Sequence, residues 1–234
     1  MPFVCRRTLI CMLLITLSSA GFTQSTQQTA WLSWTHQQVL SPKFALHFDV
    51  LTRTADNLEY LRFFGLRPGL TYLIDKKQSI TAGYTHRWTN DIHQPEKNIT
   101  ENWIWEQYSL KTNFTRFSLA HRLRIEQRFS SPANQATFFS QRLRYLGRFV
   151  IPLSQRPPFK KGCFAALQNE TFLFVQHKEK LNGHLFDQNR SYAGVGFRFN
   201  QHLDAELGYM YIIAKTRLSS TQTHTGQLSV VTKF

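Results

Sequence analysis

The sequence predicts an all-β chain folded as one transmembrane antiparallel up-and-down β-barrel of about ten strands, with twelve as the alternative. Three observations carry this. Apolar and polar residues alternate with period two in one segment after another. These segments reach about 16 residues, whereas a globular strand averages about 5–6 and a tilted membrane strand needs about 9–11. Aromatic residues are abundant, with 20 Phe, 8 Tyr and 5 Trp against 3 Met, a usage that suits pleated surfaces and interfacial girdles.

The chain begins with a short positive region, Arg6 and Arg7, then the apolar stretch Thr8 to Leu17, then the small residues Ser18-Ser19-Ala20. This is the pattern of a secretory signal peptide over residues 1–20, too short in apolar length to span a bilayer as a helix. Its removal takes Cys5 and Cys11 and leaves Cys163 alone, so no intramolecular disulfide is expected. No Cys stands at the cleavage site to carry a lipoprotein anchor. Residues 21–42 form an N-terminal segment with a possible extra strand, AWLSWTHQQV, and residues 43–234 form the barrel.

Within the barrel the predicted strands are 43–53, 59–74, 78–88, 102–112, 116–129, 137–151, 162–176, 188–199, 202–213 and 224–234. The clearest runs from Phe117 to Phe129: Phe117, Leu119, Leu123, Ile125 and Phe129 share one face, and Ser118, Arg122, Arg124, Glu126 and Arg128 share the other. In a membrane barrel the charged face lines the lumen and the apolar face meets lipid. The same reading puts Arg142, Arg144 and Arg148 opposite Leu143, Tyr145 and Phe149, and Arg190 and Arg198 opposite Ala193, Val195 and Phe197. Short turns (Asp75-Lys76-Lys77, Asn113-Phe114-Thr115, Asn200-Gln201) alternate with longer polar loops at 89–101, 130–136, 177–187 and 214–223. The connection Ser154-Gln155-Arg156-Pro157-Pro158 breaks this alternation. If the short turns are periplasmic, ten strands start and finish there, which leaves 30–39 over as a plug strand or as half of an extra pair making twelve. The chain closes on Leu228, Val230, Thr232 and Phe234, which looks like the C-terminal sorting signal of outer-membrane proteins.

Several segments together resemble a bacterial family catalogued as domain of unknown function 2490. The most specific is HRLRIEQRF at 121–129. Support comes from LRY at 143–145, Asn169-Glu170 before aromatic residues, DQNRSYAG at 187–194 and LRPGL at 66–70. The matches cover about residues 30–234 in the expected order. The resemblance implies a barrel in the bacterial outer membrane and implies no activity.

The chain is strongly basic, with 28 Lys+Arg against 14 Asp+Glu. Loss of Arg6 and Arg7 leaves 26 against 14, a net +12. A nucleic-acid protein carries its basic residues in a patch, whereas here most Arg residues are spaced by two inside strands, so no nucleic-acid partner is expected. The expected lumen ion network joins Arg122, Arg124, Glu126, Arg128, Arg142, Arg144 and Arg148 with Glu106, Glu170 and Arg190. Arg53, Arg87, Arg198, Asp49, Asp204 and Glu206 are also placed inside. A barrel of this size is narrow and nearly filled by side chains. The expected function is therefore structural, or that of a narrow pore with an ion-paired lumen, its cargo unnamed. A cationic lumen admitting a small anion is the sharper form of that reading. One alternative is a lipid hydrolase with His121 as base and a Ser beside it; another is a soluble periplasmic barrel around an apolar ligand. Trp31, Trp34, Trp88, Trp103 and Trp105 suit either interfacial girdles or core packing. No Gly-x-Ser-x-Gly, His-Glu-x-x-His or P-loop motif is present, so no catalytic residue, metal or cofactor is expected. The implied surroundings are outer-membrane lipid, lipopolysaccharide and the barrel-assembly machinery, with the chain monomeric.

Overall fold

A computed structural model describes residues 25–153 and 159–234; the expected signal peptide and Ser154 to Pro158 lie outside the described residues. Eleven strands follow one another in the described chain: β1 (Ser25–Val39), β2 (Phe44–Thr54), β3 (Leu61–Leu73), β4 (Gln78–Thr89), β5 (Ile99–Asn113), β6 (Ser118–Pro132), β7 (Phe138–Pro152), β8 (Gly162–Gln176), β9 (Phe186–Arg198), β10 (Leu203–Lys215) and β11 (Ser220–Lys233). Each pairs antiparallel with its sequence neighbour, and β1 pairs with β11 in parallel to close the barrel.

The count exceeds ten because AWLSWTHQQV is neither a plug nor half of an extra pair. It is part of β1, in the wall, with Trp31 buried inside and Leu32 and Trp34 exposed outside. In a meander all odd-numbered strands run the same way, so an odd-numbered ring can close only through a parallel pair. Hydroxyl pairs reinforce this seam: Thr29 with Thr225 and Ser33 with Ser229, each at 2.8 Å. The last residue is tied in as well, since the Phe234 N–H donates to the Gln37 carbonyl and the Val39 N–H donates to the Phe234 carbonyl.

Parity sorts the connections. The turns 40–43, 74–77, 114–117 and 199–202, the strand termini Pro152 and Gly162, and Phe234 share one end. The loops 55–60, 90–98, 133–137, 177–185 and 216–219 share the other end with Ser25. The loops are shorter than expected because β4, β5, β6, β9, β10 and β11 run further at that end than the alternation alone shows. Asp75 illustrates why the short turns form: its carboxylate accepts the backbone N–H of Lys77 at 2.6 Å and of Gln78 at 2.7 Å. The Lys77 amide holds that carboxyl below its ordinary value.

The outer face carries large exposed apolar side chains all round: Leu32, Leu46, Leu70, Ile80, Ile104, Leu123, Phe149, Leu167, Val195, Leu207 and Leu228, one from each strand. Aromatic contacts gather near both ends. Phe44–Tyr72, Phe114–Phe117 and Phe234–His202 lie at the short-turn end, and Phe64–Trp88 and Phe129–Phe139 at the loop end. Inside, glycines make room for rings. Trp105 lies against Gly69 and Gly83, Tyr192 against Gly194 and Gly208, and Phe164 against Gly196. A Cβ on Gly83 would sit 2.6 Å from the Pro68 carbonyl oxygen as well as inside the Trp105 ring, so this position requires a residue without a side chain.

Candidate functional site

The period-two geometry of β6, β7 and β8 aims alternate side chains into one narrow lumen, where charge has to be matched by charge. Glu126 is fully buried and accepts Arg142 Nη2 at 2.7 Å and Arg144 Nη1 at 2.6 Å. Arg144 reaches on to Glu170 at 2.7 Å, and Glu170 also takes Arg122 at 2.6 Å. Arg142 extends the chain the other way, to Asp187 at 2.9 Å. The result is a continuous series: Asp187, Arg142, Glu126, Arg144, Glu170, Arg122. Arg124 donates to Gln107 at 2.6 Å and packs on the Trp105 ring. A second knot lies toward the loops, where Glu101 receives Arg87 at 2.6 Å, Arg128 at 2.7 Å and the Ser130 hydroxyl at 2.6 Å. Arg148 pairs with Glu206, Arg198 with Asp204, and Arg67 with Asp49.

Glu106 does not belong to this network. It is exposed on the outer wall and accepts a hydrogen bond from Gln127 at 3.0 Å. The phase of β5 decides this: Trp103 and Trp105 point inward, so Ile104, Glu106 and Tyr108 point outward. Both faces of β5 carry large rings or aliphatic groups, so alternation on that strand alone does not tell inside from outside. Trp31, Trp103 and Trp105 accordingly pack in the lumen, while Trp34 and Trp88 face outward. Three further members, Glu101, Asp187 and Arg67, are not singled out by the sequence pattern, which leaves the first two in loops. Extending the β5 alternation by one step, Glu101-Trp103-Trp105, finds Glu101.

Beside the network the lumen holds a cavity of about 1020 Å³. Its wall includes Phe114, Thr115 and Phe159 at the short-turn end but no residue of the five loops at the other end. Glu126, Arg124, Arg128 and Glu101 are absent from that wall too. The space is thus a pouch that reaches from the short turns to Phe63, Arg87, Trp103 and Gln188, each a few residues from the loop end of its strand.

On the outer wall His121 hydrogen-bonds the Tyr145 hydroxyl at 2.7 Å. The register continues from His121 to Gly147, Asn169 and Ser191 on β7, β8 and β9. Three strand spacings of roughly 4.8 Å each put Ser191 beyond hydrogen-bond reach of His121. Among the described residues no group of three or more His, Cys, Asp or Glu is placed to hold a metal.

The profile of the family described as "Protein of unknown function (DUF2490)" matches residues 28–222. No curated protein matches the chain. Among solved structures, LpxR from Salmonella typhimurium is similar over 82% of this chain and 84% of that chain, at 10% sequence identity and a TM-score of 0.47.

Proposed function

Starting from the fact that the chain belongs to the DUF2490 family, we propose that it is a structural barrel of the bacterial outer membrane, its lumen closed at the loop end by paired Arg and Glu side chains. The carrying observation is the unbroken series from Asp187 to Arg122, which ties the inner faces of β6, β7, β8 and β9 together along one wall of the lumen. A passage for ions past the fully buried Glu126 would have to break its pairs with Arg142 and Arg144, and leaving either partner unpaired there is strongly unfavourable.

The membrane part of the proposal rests on the outer face. Large apolar side chains on every strand form a belt far wider than the few hundred Å² that soluble monomers expose. In lipid the same belt is favourable, and aromatic residues near both ends suit the headgroup levels. A closed ring also leaves no unpaired edge, the condition lipid imposes on a sheet. A soluble barrel around an apolar ligand would reverse these faces. Outer-membrane lipid and lipopolysaccharide are then the surroundings, and delivery is by the barrel-assembly machinery.

Planar-bilayer recording of the refolded protein tests the closed lumen, with no steady conductance expected from the parent. A stable, reproducible single-channel current would overturn it. Fractionation tests the location, with the chain expected in outer-membrane fractions after a salt wash; recovery from the soluble periplasm would refute it.

A further inference from the structure

The ion network leaves part of the lumen's cation unmatched, and that part borders the pouch. Arg53 makes no ion pair among the described residues; its guanidinium stacks 3.7 Å from the Trp31 ring centroid and 4.4 Å from that of Phe63. Arg190 makes none either, and lies 5.0 Å from the Trp31 ring and 4.3 Å from Phe172. Two guanidiniums therefore share one indole, with no carboxylate paired to either. The enclosed Nε atoms of Arg53, Arg67 and Arg122 bond to no protein atom, and enclosed donors without partners are costly. Eleven Lys and Arg side chains face the pouch, against four carboxylates.

The wall that adjoins these cations has another character. Trp31, Phe164, Tyr192 and Met210 form one apolar cluster, with Val150 and Phe159 packed on it, and all six line the pouch. Its volume is of the size that holds small organic ligands, roughly 300–1,000 Å³. Lys111 and Lys233, also unpaired among the described residues, stand toward the open end, where positive charge concentrates anions.

We propose that this pouch binds a small amphiphilic anion entering from the short-turn end: a carboxylate or phosphate head held by Arg53 and Arg190, and an apolar body along the Phe164–Met210 wall. A guanidinium presents a planar fork of donors that matches either head group, and a bound anion supplies the charge that the protein's own carboxylates do not. The site stands on the lumen geometry and goes beyond the structural role proposed above.

Titration calorimetry on the refolded, full-length barrel in nonionic detergent tests it, with hexyl phosphate, hexanoate, inorganic phosphate, acetate and hexanol as probes. Saturable one-to-one binding of hexyl phosphate or hexanoate is expected, about tenfold or more tighter than the corresponding short anion, with no binding of hexanol. The preferred head group identifies the ligand as phosphate or carboxylate. Arg53→Gln should weaken binding about tenfold or more while the protein keeps its folded mobility on a heat-modifiability gel; Arg190→Gln serves as the second variant should Arg53→Gln fail to fold. Absence of saturable binding by either amphiphile would overturn the proposal. So would unchanged affinity in a folded variant, or hexanol binding as tightly as hexanoate, which would make the pouch merely apolar.

Discussion

Glu126 shows how much one side chain holds at this depth. Its two oxygens bind Arg142 and Arg144 at once, and both cations are buried. Glu126→Gln keeps the shape but withdraws the shared charge, which leaves Arg142 only Asp187 and Arg144 only Glu170. A broken buried pair typically costs ~3–5 kcal/mol, against ~0–1 for an exposed one. Urea unfolding of the refolded barrel should therefore give a much lower midpoint for Glu126→Gln than for Glu96→Gln, which changes an exposed loop residue. Equal midpoints would mean that the Arg face is hydrated. Glu126 is legible in the sequence because β6 alternates cleanly, with Leu123, Ile125 and Phe129 on one side and Arg124 and Arg128 on the other. Glu106 is not, because β5 has no such contrast between its faces.

At the scale of the element, the strand that matters most is β11, which carries both the seam and the chain end. Phe234 stacks on His202 at 5.2 Å and approaches His36 at 5.9 Å, while its backbone pairs with β1. Phe234→Ala removes the ring from that corner and from the expected sorting signal. It should lower the folded band on a heat-modifiability gel while export across the inner membrane is unchanged; equal band intensity would count against this role. The seam has its own test. Ser33 and Ser229 are register partners with hydroxyls 2.8 Å apart, within disulfide reach if both become Cys. In a Cys163→Ser background, Ser33→Cys with Ser229→Cys should oxidise to a cross-linked species of altered gel mobility that reverts on reduction. No cross-link in the folded band would mean that β1 does not close the ring.

For the whole molecule, the organising fact is asymmetry between the two ends. Toward the loops Glu101 gathers Arg87, Arg128 and Ser130, whereas only at the short-turn end do residues of the connections, Phe114 and Thr115, line the pouch. Most of the barrel is legible in the residues alone, including the strand positions and the inward face of β6, β7 and β9, because alternation is local and each segment displays it unaided. The number eleven is not legible in the same way. It turns on whether 25–39 joins the wall, and the partner strand β11 lies almost two hundred residues away, as Ser33 and Ser229 show.

What the sequence by itself determined is the class of fold and the polarity of those strands whose two faces contrast, such as β6 and β7, since an L-residue strand exposes successive side chains to opposite sides whatever it pairs with. What only the tertiary structure decided is which charges meet. Arg122 finds Glu170 48 positions along the chain, Arg148 finds Glu206 58 positions along, and Arg53 finds no carboxylate among the described residues. These outcomes follow from the register between strands and the closure of the ring, and neither leaves a mark in the local alternation that marks out the strands themselves.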